Sequence, residues 1–290
     1  MANKLSSSEY EIHGLGRALT TSSKMFSYYS CDLMDAASTK KVIEKVQPSV
    51  IIHLAGSRLR SERISEFGNN FTDSIGLTLN TVNACVGKDW LKCFVTLGTC
   101  DEYGSLKVPY SESDQEVPNS AYAWGKLATT KLLVALWQTH QFPAVILRPT
   151  VVYGPNQDLG MFIPALVSSL LKKQDFQMTD GSQTRDFLFI DDVISAIVRA
   201  ANIEGAGQII NVSSDTEVSL STLVDLVLKI IDTDVRRHVL KATLPRRHGE
   251  VGRYVATNEL AKQILGWEPT VDLESGLIQT INWYSNSLEA

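Results

Sequence analysis

Tyr122 and Lys126 stand four residues apart in Tyr122-Ala123-Trp124-Gly125-Lys126, and Thr99 follows the apolar run Cys93-Phe94-Val95-Thr96-Leu97 by way of Gly98. A phenol titrates near pH 10 and is a poor base at neutrality. An ammonium group within reach favours the phenolate and lowers that value. Residues at i and i+4 share one face of a helix, so the spacing can set Lys126 beside Tyr122. A hydroxyl such as Thr99, at the carboxyl end of a strand, can bind the substrate oxygen that Tyr122 deprotonates. Together the three types suit removal of a proton from an alcohol.

The elements that must position them can be read along the chain. Glu11–Leu15 and Tyr29–Leu33 read as short strands, Ala36–Val46 as a helix stopped by Pro48, and 49–56 as a continuous apolar strand. Such runs fit strands buried on both faces of a parallel sheet. A helix from about Asn70 to Val86, the strand 93–97, the Tyr122–Lys126 helix running to about Gln141, and the strand Ala144–Arg148 follow. Further on come a helix over Phe162–Lys172, a polar turn over Gly181–Asp186, a strand over Phe187–Ile190, and a helix capped by Asp191 and Asp192. A strand over Ile209–Val212 and helices over Ser219–Ile231, Leu260–Leu265 (closed by Gly266) and from Leu273 to near Tyr284 complete the chain. Alternating strands and helices argue a doubly wound α/β fold, whose chemistry sits at the carboxyl ends of strands. Gly56, Thr99 and Thr150 fall there.

Composition bounds the rest. The 290 residues, 44% hydrophobic with a net charge of −5, can bury a substantial core and carry no basic tract for nucleic acid. The four cysteines show no CxxC pairing and the five histidines no HxxxH spacing, so neither a metal site nor a disulfide framework is expected. Cys85 and Cys93 read as small core residues, His53 as a hydrogen-bonded core histidine, and Trp124, Trp137, Trp267 and Trp283 as packing residues. No apolar run reaches membrane-spanning length and no signal segment is evident, which fits a reduced, cytoplasmic protein.

An ordered set of segments now gives a resemblance: Cys31-Asp32-Leu33, Ile51-Ile52-His53-Leu54-Ala55-Gly56, Thr99 to Tyr103-Gly104, Tyr122 with Lys126, Leu147-Arg148-Pro149 to Tyr153-Gly154-Pro155, Gly181 to Asp192-Val193, and Leu265-Gly266-Trp267-Glu268-Pro269. The chain resembles the extended short-chain dehydrogenase/reductases, in particular the nucleotide-sugar epimerase/dehydratase group. The resemblance implies a Rossmann-like doubly wound parallel sheet over 1–153 plus 186–212 that binds NAD or NADP. A smaller C-terminal α/β domain over 154–185 plus 213–290 would bind a nucleotide-diphosphate sugar. It implies a catalytic set of Thr99, Tyr122 and Lys126, with Asp101 a candidate acid for elimination and Glu102 the lesser one. Asp32 and Leu33 would contact adenine, Leu54, Ala55, Gly56 and Pro149 would line the cofactor, and Lys126 would also hold the nicotinamide ribose. Arg185 and Arg247 would bind the diphosphate, as guanidinium groups bind phosphate oxygens bidentately. The implied chemistry oxidises the sugar 4-hydroxyl to a 4-keto sugar, which is then epimerised, dehydrated, released or reduced. An NADPH-dependent 4-keto-sugar reductase and a cofactor-poor binding subunit stay open beside it. A homodimer built through the Tyr122 helix is implied as well.

The chain also departs from the family. Cys100 follows Thr99 where the family's dehydratases more often read Thr-Asp-Glu or Thr-Ser-Glu, Val151 stands in place of an asparagine that bonds phosphate, and Asp73 in place of another asparagine. Arg17 follows the stretch that corresponds to the family's second strand, where a cation can pair with the 2′-phosphate of NADP, and no acid stands at Gly16, which tilts the cofactor towards NADP. The first strand, GxxGxxG turn and helix of the family are absent, and Gly14-Leu15-Gly16 is no substitute. That unit holds the cofactor pyrophosphate, and its strand lies in the middle of the sheet. The expectation is an excision at Lys4–Leu5, or a natural variant with impaired cofactor binding, with a break in the sheet between the strands of Ile12 and Ile51.

Overall fold

Strand β1 (His13–Gly16) runs parallel to β2 (Ser27–Ser30). The computed structural model describes residues 10–19, 26–56, 64–203, 207–246 and 249–289. After β2, helix α1 (Ala36–Val46) opens on Asp35, whose carboxylate accepts from the amides of Ala37 and Ser38 at 3.1 Å. It closes where Gln47 turns left-handed ahead of Pro48. Then follow β3 (Val50–His53), α2 (Ile64–Cys85), β4 (Cys93–Leu97), α3 (Ala121–His140) and β5 (Ala144–Pro149). β3, β4 and β5 are parallel neighbours, with Ile51 beside Phe94 and Phe94 beside Ala144, and the strand Gln208–Val212 lies on the far side of β5. Ile43, Val82, Cys85, Phe94, Leu133 and Ile146 form one buried cluster, so α1, α2 and α3 all bury apolar side chains with the sheet. All four cysteines are free, and burial pushes the Cys85 and Cys93 thiols up to about 12 and about 11.

The sheet is interrupted where the sequence reading expects a missing strand. β1 pairs with β2, β3 pairs with β4, and among the described residues nothing pairs with the other edge of β3. The Lys4–Leu5 junction lies outside the described residues.

Contacts divide the chain into two units: Met1–Gly98, Ser120–Leu147 and Ala200–Ile209 form the first, and Thr99–Asn119, Arg148–Arg199 and Ile210–Ala290 the second. The second contains β6 (Val151–Tyr153), α4 (Phe162–Leu171), β7 (Phe176–Gln177), β8 (Thr184–Arg185), β9 (Phe187–Phe189) and nearly all of α5 (Ile190–Ala200). It continues through most of β10 (Gln208–Val212), β11 (Val218–Ser219), α6 (Leu220–Ile231), β12 (Val239–Leu240), α7 (Glu259–Leu265) and α8 (Leu273–Glu289). β6 pairs with β9, β8 with β11 and β7 with β12. Leu166 of α4, Leu223 and Val227 of α6 and Leu277 of α8 are fully buried in one core.

Several sequence expectations are corrected here. α2 starts at Ile64 rather than near Asn70, and α8 continues to Glu289. Thr184 and Arg185 are strand rather than turn, because their partner Val218–Ser219 is distant in sequence. Asp192 is no helix cap: its carboxylate accepts from the Thr270 amide and hydroxyl at 2.9 and 2.8 Å and from the Val271 amide at 3.1 Å. Asp192 thus anchors the segment after α7, where the buried Trp267 indole donates to the Asp192 carbonyl at 3.1 Å. Trp124 is 46% exposed and does not pack in the chain's own core.

Candidate active site

In the first unit the Lys126 ammonium lies at the carboxyl ends of β3 and β4. Helix α3 opens on Ser120, whose hydroxyl accepts from the Ala123 amide at 3.2 Å. Small residues on its buried face (Ala121, Ala123, Gly125) let its backbone approach the core closely. The Lys126 ammonium donates to the Leu97 carbonyl at 2.8 Å, and a Cβ placed on Gly56 would lie 3.4 Å from the same nitrogen. Tyr122 lies one turn earlier on α3, half-buried. His53, the last residue of β3, is buried with Nε2 3.2 Å from the Thr78 hydroxyl. Burial first, and the Lys126 ammonium second, push its pKa down to about 4, so it is neutral at pH 7.

The residues proposed for the cofactor are placed as follows. Leu54 is 50% exposed, Ala55 and Gly56 are half-buried, Arg17 is exposed just past β1, and Pro149 is buried at the end of β5. Asp32 is exposed and accepts from the Met34 amide at 2.9 Å, so it closes a turn. Asn80 of α2 donates to the carbonyls of Leu33 and Met34 at 2.8 and 3.1 Å, fixing that turn. Sequence reasoning missed Asn80; its signal was an amide in the middle of a helix, where such residues are disfavoured unless they bond elsewhere. Among the described residues no glycine-rich turn opens a helix, and the first amides of α1 are already bonded to the Asp35 carboxylate.

The second unit presents Thr99 from a rigid turn. Thr99 is 5% exposed and extended (φ −163°, ψ 147°). Its hydroxyl oxygen accepts from the Asp101 amide at 3.2 Å, while its own amide donates to Glu102 Oε1 at 3.0 Å. Glu102 is wholly buried and bound to the equally buried Arg148, whose Nε lies at 3.0 Å and Nη2 at 2.8 Å from Oε2. Arg148 also binds Glu116 at 2.8 Å and lies over the Tyr103 ring, and the Tyr103 hydroxyl donates to Asn211 at 2.8 Å. Gly104 ends the turn with φ +67°; a Cβ there would fall 1.9 Å from the Val117 carbonyl oxygen, so only glycine fits. Glu102 therefore occupies an ion pair rather than the role of an acid. Asp101 is half-buried. Cys100 is fully buried, its thiol donates to the Arg148 carbonyl at 3.2 Å, and burial holds its pKa well above the usual thiol range.

Arg185, on β8, donates to Glu250 at 2.9 Å and to the carbonyls of Thr184 and Val251 at 2.7 and 2.9 Å. Arg247 lies outside the described residues. Asp186, next to Arg185, was missed by sequence reasoning. It is buried, and one of its oxygens accepts from the Thr150 hydroxyl and from the Ser214 amide and hydroxyl at 3.1, 2.9 and 2.7 Å. Burial pushes its pKa up to about 6. A carboxyl whose folded pKa is raised binds its proton more tightly when folded, so its contribution falls as pH rises from about 4 to about 6. His53 acts oppositely, adding stability as pH rises from about 4 to its ordinary value near 6.5. Urea unfolding of Asp186→Asn across this window is expected to lack a decline on the order of 2–3 kcal/mol that the parent chain carries. Parallel curves for the two proteins would disprove the assignment.

The model of the NAD dependent epimerase/dehydratase family matches residues 1–213. A UDP-glucose 4-epimerase of Mycolicibacterium smegmatis is 29% identical over 272 residues, spanning 91% of this chain and 84% of that protein. A dTDP-D-glucose 4,6-dehydratase of Mus musculus is 26% identical, spanning 89% of this chain and 74% of that protein. Among solved structures, the UDP-glucuronic acid 4-epimerase from Bacillus cereus in complex with UDP-glucuronic acid and NAD superposes with a TM-score of 0.88. It is 24% identical, with 99% of this chain and 95% of that one covered. A Pseudomonas aeruginosa structure complexed with NADPH gives a TM-score of 0.82 at 20% identity, covering 95% and 99%. These structural likenesses establish the Rossmann-type fold. With parallel strands joined through helices and a family match across 1–213, the chain belongs to the NAD dependent epimerase/dehydratase family.

Proposed function

We propose that the chain acts on a nucleoside-diphosphate sugar through a transient 4-keto intermediate, with Tyr122 as base, and that epimerisation is the outcome its residues favour. The observation that carries this reading is the Lys126 ammonium held at the carboxyl ends of β3 and β4, 2.8 Å from the Leu97 carbonyl and one helical turn from Tyr122. A cation there supports the phenolate that removes the 4-hydroxyl proton. The Thr99 hydroxyl is the proposed partner of the same sugar oxygen, and Arg185, released from Glu250, of the diphosphate. Bound NAD(P) would supply the hydride acceptor and, on return of the hydride to the opposite face, the donor. Lys126, Leu54, Ala55 and Gly56 are the residues proposed for its nicotinamide half, and Asp32 and Leu33 for its adenine half. Arg17 favours NADP.

Elimination of water needs a second acid near the sugar. Cys100 stands where the family's dehydratases more often carry aspartate or serine, and it is buried with its proton held. Asp101 remains as the candidate acid for that branch. Epimerisation needs nothing beyond Tyr122, its supports and the cofactor. A homodimer is proposed as well, supported by exposed aromatic residues on α2 (Phe67, Phe71) and α3 (Trp124).

A second reading rests on the unpaired edge of β3 and the lack of a glycine-rich helix opening among the described residues. On that reading the chain binds the nucleotide sugar without turning it over. The test takes the purified protein, measures nicotinamide absorbance, and titrates NAD, NADP and UDP-glucose by calorimetry. Tightly bound NAD(P) with interconversion of UDP-glucose and UDP-galactose is the expected result. Exchangeable NADPH with ketone reduction would favour a reductase, and UDP-glucose binding with no dinucleotide binding would favour the binding subunit.

A further inference from the structure

We propose that Glu102 is a positioning residue that fixes Thr99 where its hydroxyl can donate to the sugar oxygen. The inference rests on the reading above, in which Thr99 meets that oxygen. Thr99 Oγ1 accepts from the Asp101 amide at 3.2 Å. That bond takes one of the two lone pairs on the side of the turn and leaves the O–H free to donate outward beside the second lone pair. A ketone oxygen only accepts hydrogen bonds, so a 4-keto intermediate requires a donor at this position; an alcohol tolerates either polarity. The turn that places this hydroxyl is closed from the other side by Glu102, whose Oε1 accepts from the Thr99 amide at 3.0 Å. Thr99 and Glu102 thus form a reciprocal capping box around only four residues, Cys100–Tyr103. So short a helical turn has little stability of its own.

Glu102 in turn has no freedom to relax. Its other oxygen is held by Arg148 at 2.8 Å, and both side chains are wholly buried. Arg148 is fixed by Glu116 at 2.8 Å and by the Tyr103 ring, 4.8 Å from its guanidinium carbon. The chain of contacts runs from β5 through Arg148 to Glu102 and so to the Thr99 backbone. Glu102 touches neither substrate nor cofactor on this account; it acts through Thr99. A shift of about 1 Å in a group that orients substrate can cost roughly a hundredfold in rate, which sets the scale expected when this support is lost.

Removing Glu102 alone would strand a buried cation, so the test compares two triple variants that remove all three charges. The first, Glu102→Gln/Arg148→Met/Glu116→Gln, keeps an acceptor for the Thr99 amide. The second, Glu102→Leu/Arg148→Met/Glu116→Gln, does not. Amide hydrogen exchange of the full chain is read by NMR at Thr99 and Asp101, and epimerase turnover is measured with UDP-glucose and NAD. The expected result is protection of both amides in the parent and in the triple with Glu102→Gln, and at least tenfold faster exchange in the triple with Glu102→Leu. Turnover number is expected to fall roughly 10- to 100-fold from the first triple to the second, with KM within about threefold. Equal protection in the two triples, or equal turnover despite lost protection, would overturn the proposal. Thr99→Val in the parent separates this from failure of the reading beneath it. If that variant turns over as fast as the parent, Thr99 does not meet the reacting oxygen and the proposal falls with the reading.

Discussion

Replacing Tyr122 by Phe is expected to lower epimerase turnover of UDP-glucose by roughly 10²- to 10⁴-fold while leaving the affinity for the nucleotide sugar within a few-fold of the parent. The substitution deletes one oxygen and keeps the ring. Tyr122 is only half-buried and its helix is capped independently by Ser120, so the fold is expected to persist. On the proposed role the loss is chemical, because Phe has no oxygen to take the 4-hydroxyl proton. Lys126→Met gives a companion effect of a different kind. On the proposed role the Lys126 ammonium, held at the end of β4, supports the Tyr122 phenolate, so its removal is expected to move the rising limb of the pH–rate profile to higher pH. Stopped-flow or coupled-assay rates across pH, with urea midpoints to confirm folding, check both. Unchanged turnover in Tyr122→Phe would remove Tyr122 from the mechanism.

The largest expected effect on stability is at Arg148. One cation, wholly buried, lies between Glu102, also wholly buried, and Glu116, whose side chain is 12% exposed. Arg148→Met leaves two carboxylates facing each other without the guanidinium that binds both. Breaking a buried pair from one side costs about 3–5 kcal/mol, a large share of a typical total of about 5–15 kcal/mol. The loss is expected to shrink as pH falls. Carboxylates stranded in this way have folded pKa values above their unfolded ones, so the folded state takes up protons and regains stability at lower pH. Converting Glu102 and Glu116 to Gln in the same chain removes the stranded charges and is expected to recover most of the loss at pH 7. Urea unfolding at pH 5 and pH 7 measures all of this. A single Arg148→Met variant within about 1 kcal/mol of the parent would mean that the pair is hydrated and weak.

Much of the architecture was legible because it is local. The ends of α1, β4 and α3 follow from Asp35, Pro48, the Cys93–Leu97 run and Ser120, each of which acts within a few residues of its own position. The pairing of Tyr122 with Lys126 follows from helical periodicity alone. Among the described residues the unpartnered edge of β3 was legible too, because a parallel sheet needs each strand and no segment of the sequence reads as the central one.

What the sequence by itself determined is therefore the set of chemical groups and the order of the elements that carry them. The tertiary structure alone decided who touches whom across long separations. Asp192 reads as a helix cap from its neighbours, yet it anchors Thr270 and Val271, nearly eighty residues away in the chain. Glu102 reads as a spare acid beside Asp101, yet Arg148 claims it from β5. Cys100 reads as a polar-tip residue and is in fact sealed against the Arg148 carbonyl. In each case the deciding term is burial, which makes an unpaired charge or polar group so costly that it must find a partner. The identity of that partner depends on which strands and loops the fold brings alongside, and no local spacing encodes it.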